Sequence, residues 1–575
     1  MDIRKVHLVF KTHLDIGFTD FSAHVIDHYL YHYIPAAIAA AQSLNIPGQA
    51  KRFVWTVGSY IIDLAVRTLK GEEAMRLDRA IKNGDITYHA LPFTTHSELC
   101  SREMFKAGLG IAKRLDERYG KKTCAAKMSD VPGHTLGIVG PLVEMGIEFL
   151  HIGINDVARM PAVPALFMWE NAQGQQVMVN YARSYGGLTT VEGHDEALYF
   201  LHSSDNMGPP DEDYLREIFE SIQAQFPQAQ VAASTLDAFA IGLRSVRGRL
   251  PVLREEIADT WIHGIGTDPK KVAMFKELDR LSQTWDKEGL WENNANPLED
   301  GRLPRAAFLE ELLLVCEHTW GMDTKKFLAD FVNWSRADFD LARRKNTLKD
   351  SYGLGTAYES AFMFGKREFE ALKPKNLHWE QRSYSVFEKS HQEQRDYIKK
   401  VLEILPQPLR MQAEEKLEKF NNDAVAGLTG EYAKTSAVQM GDYVGMLEDD
   451  DIILRSPAGH LIRIGLPIYQ EVGLDAYDRL EKHYLWHMEK NRDWAIPDNK
   501  KTGAENSDAP HQDIIHKPNL ELSAQQDGAW HLEGRFDERP QMLAGCPEGF
   551  RLTLKPYDEG IKISLFLYHK PANRK

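Results

Sequence analysis

Residues 6–17 read Val-His-Leu-Val-Phe-Lys-Thr-His-Leu-Asp-Ile-Gly. The β-branched and aromatic residues predict a buried strand over 6–14, and apolar residues recur at helical spacing from Ile26 onward. Further strands are predicted at 53–57, 85–91, 123–128, 148–154, 230–234 and 258–263. Because helices separate these strands, they should pair in parallel through crossovers, so the sequence predicts an α/β domain over residues 1–300.

The pattern changes near residue 300 and again near Gly427. Helical stripes at 308–316 and 397–405 predict a helical bundle over 301–425. A Ser-Pro-Ala-Gly hairpin and a final alternating strand predict a β-sandwich-like antiparallel domain over 426–575. The last strand stops shortly before the end of the sequence, so the sequence leaves open whether this domain is complete.

The composition argues against several classes of protein. The chain has 575 residues, with 83 acidic and 69 basic side chains and a formal charge of −14, so it should repel a polyphosphate and not bind nucleic acid. The sequence contains no run of about twenty apolar residues, so no membrane span is expected. Four widely spaced cysteines without a CxxC motif, and no secretory leader pattern, predict reduced thiols and a cytoplasmic location.

Three segments place reactive side chains directly after predicted strands, where α/β sheets bind ligands. His13 and Asp15 stand two residues apart on a strand, so they share a face and can reach one cation, a pairing that suits zinc. Asp130 lies in the turn Ser-Asp-Val-Pro-Gly-His-Thr, and His263 lies beside two glycines. Each segment also has a purely structural interpretation. His13 could be a strand-end histidine hydrogen-bonded to a carboxylate, Asp130 could be a helix N-cap, and His263 could be a core histidine.

Taken together, these segments resemble glycoside hydrolase family 38, the zinc-dependent retaining α-mannosidases. The first strand of that family ends in His-x-Asp-x-Gly and an aromatic residue, here 13–18, and its nucleophile lies in Asp-x-x-Gly-His-Ser/Thr, here 130–135. His263 resembles its last zinc ligand, and Asp205 falls where the family carries its acid/base aspartate. The resemblance covers mainly residues 1–320 and implies an irregular (β/α) barrel-like catalytic domain.

The resemblance also implies a role for each of these side chains. One zinc ion would be held by His13, Asp15, Asp130 and His263 and would bind two adjacent sugar hydroxyls. Asp130 would form a covalent glycosyl-aspartate, and Asp205 would act first as general acid and then as general base. The implied substrate is a carbohydrate with an α-mannoside-like bond.

Five further residues are candidates for contact with the sugar: Phe18, Trp55, His96, Glu98 and His134. The two aromatic residues could stack on a sugar face, although core aromatics need no such role. The two residues that follow the third strand could equally belong to a capped loop. The histidine of the nucleophile segment is expected to support the nucleophile through hydrogen bonds.

Three positions depart from the family pattern. Phe18 replaces the usual tryptophan, Gly264 stands where a second acidic residue follows the late histidine, and strand 53–57 lacks the acidic residue that the family often has there. Since acidic residues contact sugar hydroxyls, these departures leave the identity of the sugar open.

Three other interpretations stay open. The protein could be a glycosidase or lyase that acts on another sugar, such as a uronic acid. It could be a zinc-dependent carbohydrate deacetylase, which needs a metal-bound water and an aspartate base. It could also be a non-catalytic glycan-binding protein with a decayed site. The sequence does not fix the oligomeric state, and a homo-oligomer is compatible with it.

Overall fold

The computed structural model describes residues 2–259, 261, 263–328, 330–346, 383–420, 436–448, 451–486, 488–558 and 560–574. These residues group into two compact units. The first comprises residues up to 327 together with 386–420, and the second comprises 328–346, 383–385 and 436–574.

The helices are α1 (Ser22–His28), α2 (Ile34–Leu44), α3 (Ser59–Thr68), α4 (Gly71–Asn83), α5 (Arg102–Tyr119), α6 (Val139–Glu144), α7 (Glu212–Gln225), α8 (Leu236–Leu243), α9 (Pro269–Lys287), α10 (Pro304–Leu312), α11 (Arg336–Lys345), α12 (Tyr384–Ile404), α13 (Gln407–Glu418), α14 (Leu474–His483), α15 (Arg492–Asn499) and α16 (Glu538–Ala544). In α5, Ser101 caps the first turn by accepting a hydrogen bond from Met104 N, and Gly120 ends the helix at a φ of 65°. Within the described residues, no helix is long and apolar enough to cross a membrane.

The strands of the first unit are β1 (Lys5–His13), β2 (Trp55–Gly58), β3 (Ile86–His89), β4 (Ala125–Asp130), β5 (Phe149–Ile154), β6 (Leu166–Glu170), β7 (Gln176–Arg183), β8 (Gly187–Thr189), β9 (Glu196–Asp205), β10 (Gln230–Ala233) and β11 (Val252–Leu253). One sheet has the order β3-β2-β1-β9-β8, with β10 also paired to β1, and the other has the order β11-β6-β7-β5-β4. The amide of Ala90 donates to the Ala125 carbonyl at 2.9 Å, which joins the β3 and β4 edges.

Strand β1 lies at the centre of the first sheet and positions the site. It pairs in parallel with β2, β9 and β10, and its residues from Val6 to His13 are buried. A strand buried on both faces needs an almost continuous apolar run, as residues 6–10 provide. The predicted α/β class is confirmed, and the carboxyl ends of β1, β4 and β9 carry His13, Asp130 and Asp205.

The second unit contains only antiparallel strand pairs among its described residues. Its strands are β12 (Ala437–Met440), β13 (Tyr443–Glu448), β14 (Asp451–Arg455), β15 (Leu461–Gly465), β16 (Tyr469–Glu471), β17 (Ile514–His516), β18 (Asn519–Gln526), β19 (Ala529–Arg535), β20 (Gly549–Tyr557) and β21 (Gly560–Tyr568). Met440, Leu454, Trp530 and Leu552 pack in its core. The predicted domain boundaries at residues 300 and 425 stay a prediction.

Candidate metal centre and active site

Three side chains converge at the carboxyl end of β1. His13 Nε2 lies 3.0 Å from His318 Nε2, and each of these nitrogens lies 3.1 Å from Asp15 Oδ1. The three residues are 1%, 6% and 3% exposed, respectively. Two imidazole nitrogens and a carboxylate oxygen therefore face one common point inside the protein.

The geometry of this cluster fits a divalent cation. Tetrahedral zinc with bonds of about 2.0–2.2 Å separates its ligand atoms by about 3.3–3.6 Å, close to the observed 3.0–3.1 Å. The buried Oδ2 atom of Asp15 has no hydrogen-bond partner among the described residues. Since two histidines and a carboxylate are ligands that zinc prefers, these residues are suited to hold it.

The outer nitrogens of both histidines are held in place. His13 Nδ1 lies 2.8 Å from Ser129 Oγ, and His318 Nδ1 lies 2.7 Å from Glu317 Oε1. Partners on the outer nitrogen fix the orientation of a metal-binding imidazole and leave Nε2 for the ion. Burial by itself lowers the pKa of His318, but the Glu317 and Asp15 carboxylates raise that pKa well above its usual value.

Asp130, at the end of β4, borders this cluster. Its Oδ2 atom lies 3.6 Å from His318 Nε2, and its Oδ1 atom accepts hydrogen bonds from Asn155 Nδ2 at 2.8 Å and from the Tyr185 hydroxyl. Its backbone has a φ of 81°, which is strained for a residue with a side chain. The turn thus holds one carboxylate oxygen against donors and directs the other toward the cluster.

A bulge in β9 brings Asp205 to the same place. Lys11 pairs with His202, but His13 pairs with Asp205, so β9 contains an extra residue between these pairs. Ser204 lies in this interval with a φ of 85°. Because the bulge shifts the register, Asp205 rather than Ser204 stands beside His13. Asp205 is half-buried there.

Two buried lysines, one on β1 and one on β4, interact with the carboxylates of the site. Lys11 is 1% exposed, and its Nζ atom has no hydrogen-bond partner among the described residues but lies 5.4 Å from the centre of the Tyr185 ring. Lys127 Nζ donates to Ser129 Oγ at 2.8 Å. Burial lowers the pKa of Lys127 to about 7. Lys11 interacts electrostatically with Asp205, and Lys127 interacts with Asp15, so buried basic groups stabilise the charged form of the carboxylates in the site.

Trp320 explains one of the departures from the family pattern. A Cβ atom built on Gly264 would lie 2.1 Å from Trp320 Cδ1, so the indole fills the space that a side chain at this position would need. The indole nitrogen donates to His96 Nε2 at 3.2 Å, and Lys271 Nζ lies 4.6 Å from the ring centre. An acidic residue at position 264 is sterically incompatible with this packing.

The remaining candidates occupy varied positions. The backbone of His263 begins a 3-10 turn, His263–Thr267, but its side chain lies outside the described part of the structure, so its role as a ligand stays a prediction. Trp55 is completely buried against Tyr29, as a core aromatic would be. Phe18 is half-buried, and its amide donates to the Gly321 carbonyl at 3.1 Å.

The two histidine candidates are buried, and the glutamate is half-buried. His96 is 1% exposed and contacts Trp320 as described above. His134 Nδ1 lies 3.3 Å from Ser97 Oγ, and burial lowers the pKa of His134 to about 3. Glu98 lines a separate cavity on the same rim of the sheet. Their roles as substrate contacts stay predictions.

Sequence reasoning missed His318, Tyr185, Asn155 and Ser129. His318 follows α10 and a 3-10 turn, not a strand, so a search at strand ends passes over it. Its sequence context, Glu-His-Thr-Trp-Gly, combines metal-ligating, aromatic and glycine residues after an apolar run and is the signal that could have revealed it.

The family model for a domain of unknown function, DUF5054, matches residues 265–562, just over half of the chain. The chain belongs to the DUF5054 family. The matched part of this DUF5054 protein includes His318 and Trp320, whereas His13, Asp15 and Asp130 precede it. No curated protein matches the chain significantly.

Solved structures similar to this DUF5054 protein include an alpha-mannosidase from Enterococcus faecalis V583, at 9% identity over 98% of this chain and 72% of that one, with a TM-score of 0.48. A protein in the glycosyl hydrolase family 38 from Enterococcus faecalis is 8% identical over 99% of this chain and 72% of that one, with a TM-score of 0.43. The 4-alpha-glucanotransferase from Thermococcus litoralis is 10% identical over 98% of this chain and 85% of that one, with a TM-score of 0.35. At these TM-scores the function must be argued from the residues of the DUF5054 chain itself, and membership of glycoside hydrolase family 38 stays a prediction.

Proposed function

We propose that the protein is a metal-dependent retaining glycosidase that cleaves α-mannoside-like bonds through a covalent glycosyl-aspartate. One observation carries the proposal: Asp130 borders the cluster of His13, Asp15 and His318, and Asp205 stands beside His13. This arrangement supports the proposal because it offers a candidate cation site beside two carboxylates, and a retaining glycosidase uses a pair of carboxylates.

Asp130 is the nucleophile in this proposal. Its carboxylate oxygen would form a bond to the anomeric carbon while the glycosidic carbon–oxygen bond breaks. Tyr185 and Asn155 would hold the carboxylate during attack and stabilise it again when it leaves. The divalent ion, when bound to the cluster, would act as a Lewis acid for the sugar hydroxyls.

Asp205 is the proposed acid/base residue. In the first step its carboxylic acid would give a proton to the departing glycosidic oxygen. In the second step its carboxylate would take a proton from water, whose oxygen forms a bond to the anomeric carbon as the bond to Asp130 breaks. The bulge at Ser204 supports this role because it places Asp205 beside His13.

A screen of aryl α- and β-glycosides, with and without a chelator, tests the activity. We expect release of the aryl alcohol from an α-glycoside only, with loss on chelation and recovery with Zn²⁺. Incubation with an activated 2-deoxy-2-fluoro derivative of that glycoside should label one peptide, and the label should map to Asp130. Labelling of a different carboxylate would remove Asp130 as the nucleophile.

A metal-dependent carbohydrate deacetylase is the second candidate. It is favoured by the fact that His13, Asp15 and His318 form a three-ligand set on their own, which would leave Asp130 free to act as a base toward a metal-bound water. Acetate release from N-acetylated oligosaccharides, without release of sugar, would support this candidate over the glycosidase.

A further inference from the structure

A cavity of about 400 Å³ lies in the first unit. The loop after β3 contributes Ser97, Glu98 and Ser101, and the segment after β4 contributes Thr135 and Ile138. Its volume lies in the range of small-molecule sites, about 300–1,000 Å³. None of the proposed catalytic carboxylates lines it.

The same two loops carry the cavity and the end of β4. The Thr94 hydroxyl donates to the Ser129 carbonyl at 2.9 Å, next to Asp130, while Thr135 N donates to Ser97 Oγ at 3.2 Å, at the cavity. Thr135 is five positions after Asp130, which is at most about 17 Å of extended chain. The cavity therefore lies within the reach of a short oligosaccharide held at Asp130.

The lining has the chemistry of a site for a neutral sugar. Glu98 and Glu256 supply carboxylates, and Phe105 and Ile138 supply an apolar wall. The Oε1 atom of Glu98 is buried, whereas Glu256 is exposed, so the Glu256 carboxylate is the acceptor to which a sugar hydroxyl in the cavity could donate.

The charges in and around the cavity disfavour an anionic sugar. Arg102 also lines the cavity, but its guanidinium is paired with Glu144. Burial raises the pKa of Glu98, which weakens its negative charge, so the exposed Glu256 carboxylate sets most of the field that a ligand meets. A uronic acid would be repelled there, whereas a neutral hexose or a cationic amino sugar would not.

We propose that this cavity is a second saccharide subsite, which binds a neutral or amino sugar of the same glycan whose bond is cut at Asp130. The inference rests on the proposed glycosidase function and deepens it, because it makes an oligosaccharide the preferred substrate over a simple glycoside.

Chain-length kinetics on the full-length enzyme test this proposal. The substrates are the aryl monoglycoside found in the screen and the trisaccharide of the same sugar and linkage. Gly137→Leu adds bulk to the cavity wall, since a Cβ at Gly137 would meet only the Thr135 side chain, at 3.4 Å and 3.7 Å. We expect this variant to lower kcat/KM for the trisaccharide about tenfold more than for the monoglycoside, the loss of about one well-made polar contact.

Gly110→Leu is the matched control, because Gly110 lies on α5 and its added Cβ would meet no atom within 4 Å. It should change neither kcat/KM by more than about twofold. If the trisaccharide has no advantage over the monoglycoside in the parent enzyme, or if both glycine variants behave alike, the subsite is excluded.

Direct binding gives a second measurement that does not depend on turnover. Saturation-transfer NMR with D-mannose, D-glucosamine and D-glucuronate gives this measurement. The first or second sugar should bind to the parent and should bind more weakly to both Gly137→Leu and Glu256→Gln, and glucuronate should not bind. Equal binding by parent and variants, or preferred binding of glucuronate, would overturn the inference. A parent that cleaves no glycoside but binds sugar in the cavity would refute the glycosidase and keep the subsite.

Discussion

The Nε2 atoms of His13 and His318 lie 3.0 Å apart, although 305 residues separate the two histidines. One of these nitrogens can donate a hydrogen bond to the other, and Asp15 Oδ1 lies 3.1 Å from both, so the three side chains converge on one point. A cation that both nitrogens and Asp15 can reach satisfies all three groups. The proposed metal site rests on this contact.

Replacing His318 should remove the metal. His318→Gln deletes one of the three converging ligands, so we expect Zn²⁺ affinity to fall by more than about 100-fold, as measured by competition with a chromophoric chelator. The same measurement on His263→Gln tests the assignment made from the sequence. Unchanged affinity in that variant would exclude His263 from the ligand set.

Ser129 should contribute to metal affinity without touching the ion. Its hydroxyl lies 2.8 Å from His13 Nδ1, so Ser129→Ala frees the imidazole to rotate. We expect a loss of about tenfold in Zn²⁺ affinity, measured by calorimetry. Ser245→Ala, at the end of α8, is the control and should have no effect. An unchanged affinity in Ser129→Ala would show that packing alone fixes His13.

Metal affinity should rise with pH. Burial alone would lower the pKa of His318, but Glu317 and Asp15 outweigh it and raise that pKa well above its usual value. Wherever the imidazole is protonated, a metal ion must displace this proton, and the raised pKa extends that range upward in pH. The apparent association constant should increase about tenfold per pH unit for each displaced proton, up to the raised pKa. A flat profile in a Zn²⁺ titration between pH 6 and about 8 would contradict this model.

Tyr185 should affect turnover more than metal binding. Its hydroxyl donates to Asp130 Oδ1, and Tyr185→Phe leaves that oxygen with Asn155 as its donor. We expect kcat on the aryl glycoside to fall by about tenfold or more, with Zn²⁺ content unchanged. Tyr214→Phe, an exposed position on α7, serves as the control. Equal rates in the two variants would argue that Tyr185 is only a packing residue.

Gly264 should tolerate no side chain while Trp320 is present. Gly264→Ala places a Cβ atom 2.1 Å from the indole and should lower the free energy of unfolding by about 1–3 kcal/mol. Gly266→Ala, where a Cβ meets no atom within 4 Å, should change it by less than about 0.5 kcal/mol. Denaturant unfolding of both variants provides the measurement. The double variant Gly264→Ala/Trp320→Ala should be no less stable than Trp320→Ala alone, since the clash is then absent.

Local sequence patterns predicted the parts of the site that lie on strand ends. The continuous apolar run of β1 predicted a buried strand, but the strand ends at His13, so Asp15 reaches His13 from the segment after the strand and not through period-two spacing. The position of Asp205 depends on the β9 bulge at Ser204, which no local propensity reveals. His318 could not be found in this way, because its approach to His13 is a tertiary contact between segments 305 residues apart.

That separation also sets an order of assembly during synthesis. At about 5–20 residues per second, a ribosome that has added His13 needs roughly 15–60 s to reach His318, 305 positions later. During that interval the nascent chain contains His13 and Asp15 but lacks His318, so the candidate ligand set is incomplete. The proposed metal site is therefore completed only late in synthesis.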